Sequence, residues 1–198
     1  MYKNKGLTIK NMVTIGVFSA IYCVFYIIGG IPFGINPVLT FYQAMGSALL
    51  CGPVYMLLVA KVGKKWSVFI LGIVVGILLF ITGMHWAMVL GCIIMGFIAD
   101  ILARIGNFKS KKMNIISYMI FSLGGVGSFL AYFINPNGWI RAMVEKGTDQ
   151  SYLDTMNAVA KPWMIYVIII GTLLVAAFSA WVGSKLLKKQ FEKAGIVD

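Results

Sequence analysis

Few residues in this chain could do chemistry. There is one histidine, His85, flanked by Met84 and Trp86. It could hydrogen-bond a ligand or, with its neighbour Met84, ligate a haem iron. It could equally cap a helix or sit at a membrane interface beside Trp86. A lone histidine without partner ligands is a weak signal for a metal. The cysteines, Cys23, Cys51 and Cys92, all sit in apolar runs and form no CxxC pair, so they read as small buried hydrophobes. Among six acidic residues only Asp100 falls within a long apolar run, four residues before Arg104. That spacing lets the two side chains pair on one helix face near a membrane interface.

No catalytic set can be built from these residues. The chain has no HExxH, no second histidine, no pair of carboxylates within the apolar runs and no GxxxxGK[ST] loop. An enzyme, and an ATPase in particular, is therefore not expected. Polar and aromatic residues cluster elsewhere: Asn36 and Tyr42, then His85 and Trp86, then Asn135, Asn137, Trp139 and Arg141. A mostly apolar pocket with a few placed polar groups is the usual make-up of a small-ligand site. An ordinary aromatic belt would also explain the aromatics, although not the asparagines and the arginine.

The elements that must position these residues are long apolar helices. Sixty per cent of the 198 residues are hydrophobic and only 12% are charged, too few charges to cover a soluble domain. Apolar runs extend from about Met12 to Ile28, from Pro37 to Ala60 with a kink expected at Gly52-Pro53, and from Trp66 to Ala103. The last is too long for one span and breaks at Thr82-Gly83-Met84-His85. Two more runs follow, Met113 to Ile134 and Pro162 to Leu187. The reading is an all-α integral membrane protein: one domain over 1–198 with six transmembrane helices and both termini inside.

The net charge of +11 supports this topology rather than nucleic-acid binding. Fourteen of the 17 basic residues fall on one side: Lys3, Lys5, Lys10, Lys61, Lys64, Lys65, Arg104, Lys109, Lys111, Lys112, Lys185, Lys188, Lys189 and Lys193. Only Arg141, Lys146 and Lys161 fall on the other, as the positive-inside rule requires. The outer side has a short loop, Gly29 to Asn36, a tight turn near Gly83, and a long loop over 135–161. In that loop Trp139, Ile140, Met143 and Val144 share one helical face, with Gly147 to end the helix. Thr148 or Asp149 could cap a second helix presenting Tyr152, Leu153, Met156 and Val159. Two such helices would make a lid over the outer mouth, or would rest on the lipid interface.

Gly16, Ser19, Ala20 and Cys23 form a small-residue face on the first helix, suited to close contact with another helix. The stretch Leu7-Thr8-Ile9-Lys10-Asn11-Met12-Val13-Thr14-Ile15-Gly16-Val17-Phe18-Ser19-Ala20-Ile21-Tyr22, the loop Gly29 to Pro37, and Gly96-Phe97-Ile98-Ala99-Asp100 resemble the Trep-Strep family. The likeness covers nearly the whole chain. It implies a substrate-binding (S) component of an energy-coupling factor (ECF) importer in the bacterial cytoplasmic membrane. Such a component binds a micronutrient near the outer face and works with a transmembrane T component and two ATPases. It topples in the membrane to deliver its ligand. In that class contact with the T component uses an AxxxA pair on the first helix. The matching positions here are Gly16 and Ala20, the glycine departing from the alanine. The ligand would be a vitamin or a tetrapyrrole such as haem, with Arg141 and Lys146 placed to meet propionates. The competing readings are a stand-alone ion-coupled carrier or channel, and an accessory membrane protein without a ligand. Neither midplane charges nor internal repeats support a carrier.

Overall fold

In the computed structural model residues 6–193 are described, with side chains as far as Leu187. Lys3 and Lys5 lie outside the described residues, as do the side chains of Lys188, Lys189 and Lys193. Among the described residues all regular structure is helical: α1 (Ile9–Gly34), α2 (Gln43–Val62), α3 (Ser67–Ile81), α4 (Trp86–Ile105), α5 (Lys111–Ser122), α6 (Gly127–Ile134), α7 (Pro136–Glu145), α8 (Gln150–Val159) and α9 (Met164–Lys193). A 3-10 turn at Leu123–Val126 joins α5 to α6 in one 24-residue apolar segment, and another at Thr40–Tyr42 leads into α2.

Five segments are long and apolar enough to cross a membrane: Ile9–Gly34, Thr40–Val62, Trp86–Ile105, Lys111–Ile134 and Met164–Leu187. Their outer faces carry large apolar side chains with no protein over them. Examples are Val13, Val17, Val24 and Ile28 on α1, and Ile170, Leu174 and Phe178 on α9. Apolar surface on this scale belongs in lipid. The protein is a multi-pass integral membrane protein.

Side-chain caps fix most helix starts. Thr8 caps α1 by accepting from the Asn11 N–H, Ser110 caps α5 by accepting from the Met113 N–H, and His85 caps α4 through Nδ1, which accepts from the Ala87 N–H at 3.2 Å. The start of α3 is capped from another helix. Asp100 of α4, 2% exposed, accepts from the Trp66 and Val68 N–H groups, both at 3.1 Å. The expected Asp100–Arg104 pairing is thus replaced, because two orphan N–H donors at a buried helix start are stronger claimants on the carboxylate than a side chain that can reach water.

The first outer loop is also shorter than the sequence suggests. Gly29 to Gly34 stays helical through Pro32, and α1 ends only at Gly34. The glycine pair that reads as a break is a packing surface: Gly29 lies against the backbone of Gly46 and Ser47, and Gly30 lies against Gln43 and Ser47. Similarly, α2 continues through Pro53, and Gly52 lies against Ser179 and Ala180 of α9. A Cβ on Gly72 would stand 2.5 Å from the Cys92 carbonyl oxygen, and one on Gly91 2.6 Å from that of Gly124. Backbones meet this closely only where both helices present small residues.

Two cores result. The larger joins α1 to α5 and α9 around Tyr22, Tyr55, Leu58, Leu71, Leu79, Tyr118 and Phe121. Three hydroxyls at its centre are paired: Tyr55 meets Ser117 at 2.6 Å, Ser117 donates to the Ala99 carbonyl at 2.6 Å, and Tyr118 donates to the Ala48 carbonyl at 2.7 Å. Unpaired groups here would be costly in a membrane interior. The second core sits at one end of the bundle and includes Phe41, Phe129, Tyr132, Trp139, Leu153, Met156 and Ile168. It is built by the two short helices α7 and α8 closing onto α2, α6 and α9.

Candidate functional site

The site starts from local chain chemistry between Asn135 and Ala160. Asn135 Oδ1 accepts from the Gly138 N–H and Pro136 occupies the first turn, so α7 begins immediately after α6. Glu145 ends it, and Gly147 takes φ 92°, a left-handed conformation that favours glycine. Asp149 Oδ1 then accepts from the Ser151 and Tyr152 N–H groups and starts α8. The apolar faces of both helices turn inward: Trp139, Leu153 and Met156 are buried, and Ile140, Met143, Tyr152 and Val159 pack partly buried against them. Val144, expected on the packed face, is instead 40% exposed.

Four side-chain contacts fasten this roof. Trp139 Nε1 donates to Ser128 Oγ at 3.1 Å, and Tyr132 Oη donates to Asn157 Oδ1 at 2.7 Å. Tyr152 Oη donates to the Gly34 carbonyl at 2.6 Å, joining α8 to the end of α1. Lys146 donates to the Met84 carbonyl and lies 3.9 Å over the Phe80 ring, joining the end of α7 to the α3–α4 turn.

Beneath the roof lies an enclosed cavity of about 70 Å³ lined by Thr40, Gln43, Met84, His85, Met88, Ser128, Phe129, Trp139 and Met143. His85 is 3% exposed and stacks on Trp139, centroids 5.9 Å apart and planes 27° apart. Trp139 in turn meets Tyr132 edge to face at 5.4 Å. With Nδ1 accepting the α4 cap bond, a neutral His85 ring carries its proton on Nε2 and is a donor there. Burial, helped by the nearby Lys146 ammonium, pulls the His85 pKa down and keeps the ring neutral. A wider, more open cleft of about 410 Å³ adjoins this region, lined by Tyr132, Phe133, Pro136, Asn157, Ala160, Lys161, Pro162 and Ile165. The lining of the enclosed cavity carries no carboxylate and no cysteine.

A family model described as a hypothetical bacterial integral membrane protein (Trep_Strep) matches residues 9–193. The chain belongs to the Trep_Strep family. No curated protein and no solved structure matches it.

In this Trep_Strep protein the residues singled out from the sequence are sorted by the fold. His85 and Trp139 meet at the cavity wall. Tyr42 packs partly buried against the second core, next to the cavity residues Thr40 and Gln43. Trp86 is 53% exposed beside His85. Asn36 turns its side chain onto the Val38 N–H, and Asn135 caps α7, so both serve local backbone. Asn137 and Arg141 are exposed. Thr40, Gln43, Met88, Ser128 and Phe129 help line the cavity although no sequence feature selects them; they lie within apolar stretches far apart in the chain. The small-residue face of α1 divides: Ser19 and Cys23 are buried, while Gly16 and Ala20 are exposed with Val13, Val17 and Val24.

The His85 cap has a pH consequence. Protonating the ring puts a hydrogen on Nδ1 and removes the acceptor of the Ala87 N–H. A histidine whose folded pKa lies below the unfolded value contributes stability above the unfolded value, near 6.5, and loses it as pH falls below that point toward the folded pKa. Thermal unfolding in nanodiscs is expected to show a stability loss on acidification below about pH 6.5. His85→Asn, which can cap without titrating, is expected to abolish that loss. An unchanged acid response in the asparagine variant would remove His85 as its source.

Proposed function

We propose that this Trep_Strep protein is the substrate-binding component of an ECF-type importer, holding a small micronutrient at the outer face of the bacterial cytoplasmic membrane. The enclosed cavity beneath α7 and α8 carries the reading. A membrane bundle with no ligand to capture has little use for a fastened roof over a cavity that mixes aromatic, thioether, hydroxyl and amide groups. In this role α7 and α8 act as the lid, and the protein is a non-catalytic subunit.

The reading includes six spans with both termini inside. The sixth is α3, whose 15 residues cover roughly 22 Å, less than the roughly 30 Å hydrocarbon core. Such a helix is accommodated by local thinning of the bilayer and by flanking anchors; here Lys64, Lys65 and Trp66 stand at one end and the Thr82–His85 turn at the other. Counting α3 as a span leaves the basic residues divided between the two faces as the positive-inside rule requires.

Of the two ligand classes, haem fits less well: His85 Nδ1 is engaged at the α4 cap, which leaves the ring proton on Nε2 and no free lone pair for iron. The closed space is well under the roughly 300 Å³ at which pockets for drug-sized ligands begin, so admitting a vitamin requires α7 and α8 to open. For the partner, the exposed Gly16–Ala20 face of α1 offers a T component a close-contact surface in lipid.

Purification of the tagged protein from native membranes in mild detergent is expected to recover a T-type membrane protein and two ATPases. Gly16→Leu with Ala20→Leu is expected to reduce that recovery severalfold without lowering the amount of protein in the membrane. Repeated recovery of the protein alone, while a control S component brings down its partners, would favour a carrier or an accessory role.

A further inference from the structure

We propose that the groove between the starts of α1 and α3 seats one anionic phospholipid, an acyl chain in the groove and the phosphate at Lys64 and Lys65. This does not rest on the capture-site reading, whose cavity lies at the other end of the bundle. Leu7, Ile9 and Met12 form one wall of the groove, and Trp66, Phe69 and Ile70 form the other. Its volume is about 570 Å³, within the roughly 300–1,000 Å³ of small-molecule sites. Thr8 also lines it, but its hydroxyl is engaged in capping α1. Ile9 is 85% exposed and Met12 49%. An open apolar groove at the depth where helices enter the hydrocarbon meets acyl chains.

Charge decides which lipid. Lys64 Nζ donates to the Gly6 carbonyl at 3.3 Å, which holds this ammonium next to Leu7 of the groove wall. That bond uses one of its three N–H donors. Lys65 Nζ lies 4.6 Å from the centre of the Trp66 ring, on the opposite wall. Among the described side chains the carboxylate at this end of the bundle is Asp100, buried and committed to the Trp66 and Val68 N–H groups. A phosphodiester at the mouth of the groove therefore meets two cations and no competing anion. The ammonium of a zwitterionic headgroup would find no partner there. Lysines so placed lie along apolar surface and present their charge to lipid phosphates.

A bound lipid also has a use here. With only 15 residues, α3 is short for a span, and a phosphate held at Lys64 and Lys65 sets the depth at which it begins.

The test is native mass spectrometry of the delipidated protein in mild detergent, titrated with phosphatidylglycerol and with phosphatidylcholine of the same acyl chains. One phosphatidylglycerol is expected to bind, and more tightly than phosphatidylcholine. Lys64→Gln with Lys65→Gln should weaken it about tenfold or more, since each lysine near a headgroup contributes about fivefold. Met12→Trp, which narrows the groove and leaves the charges in place, should weaken it as well. Lys111→Gln with Lys112→Gln, at the same end of the bundle on α5, is the control and should change nothing. No binding, equal affinity for the two lipids, or equal weakening by the control pair would overturn the phosphate site. Binding indifferent to Met12→Trp would overturn the groove as the seat of the chain. A benzophenone side chain placed at Met12 that captures a protein in native membranes, and not lipid, would give the groove to a partner helix instead.

Discussion

Trp139→Ala is expected to detach α7 from the bundle and open the cavity, with a loss of about 3–5 kcal/mol in the stability of the roof, the usual range for truncating a buried tryptophan. The side chain is 6% exposed and does several jobs at once. Its indole N–H is bonded to Ser128, one face stacks on His85, and its edge meets Tyr132. Its removal therefore leaves a void, an unpaired Ser128 hydroxyl and an uncovered histidine. The remaining fasteners, Tyr132 to Asn157, Tyr152 to Gly34 and Lys146 to Met84, hold α8 and the end of α7 and do not replace it. The measurement is protease cleavage in the Lys146–Asp149 connection, which should accelerate by well over tenfold while the membrane spans stay intact. Trp139→Phe keeps most of the apolar volume and loses one hydrogen bond, so its effect should be about 1 kcal/mol. Cleavage of Trp139→Ala at the wild-type rate would mean that α8 alone holds the roof down.

The roof was legible in the sequence because its signals are local. A glycine at a helix end, an aspartate cap and two short apolar faces can all be read within 25 residues of chain. The membrane class was legible because composition and long apolar runs suffice for it. The cavity was legible only in part. His85 and Trp139 stand out as rare residue types, but Thr40, Gln43, Met88 and Ser128 join them through packing between α2, α4 and α6, for which one sequence carries no signal. Asn36 and Asn135 show the converse error. Their polarity drew attention, and the fold uses it on the nearest backbone N–H. The extension of α1 through Gly29 and Gly30 was hidden for a related reason: a glycine that permits a turn and a glycine that permits close helix contact look the same until the partner helix is known.

Asp100 carries the second large effect, at the opposite end of the bundle. The spacing to Arg104 pointed to a surface ion pair, a contact worth little. The structure makes the carboxylate the N-terminal cap of α3, contributed from α4. Asp100→Ala would leave the Trp66 and Val68 N–H groups without an acceptor in a buried setting. Hydrogen bonds to a charged group contribute about 1.5–3 kcal/mol each, so a loss of about 3–5 kcal/mol is expected on unfolding in mixed micelles. Trp66 adds to this. It holds φ at 75°, a conformation costly for a residue with a side chain, and its bond to Asp100 opposes that cost. Asp100→Asn retains one acceptor oxygen and should fall between wild type and alanine. Equal losses in the two variants would show that the charge at the α3 terminus matters more than the number of acceptors. No loss in either would mean that the Gly72–Cys92 contact seats α3 on α4 without the cap. The cap also explains how α3 can be so short: its first turn is fixed by a side chain from its neighbour, so the helix does not need extra residues of its own to define where it begins.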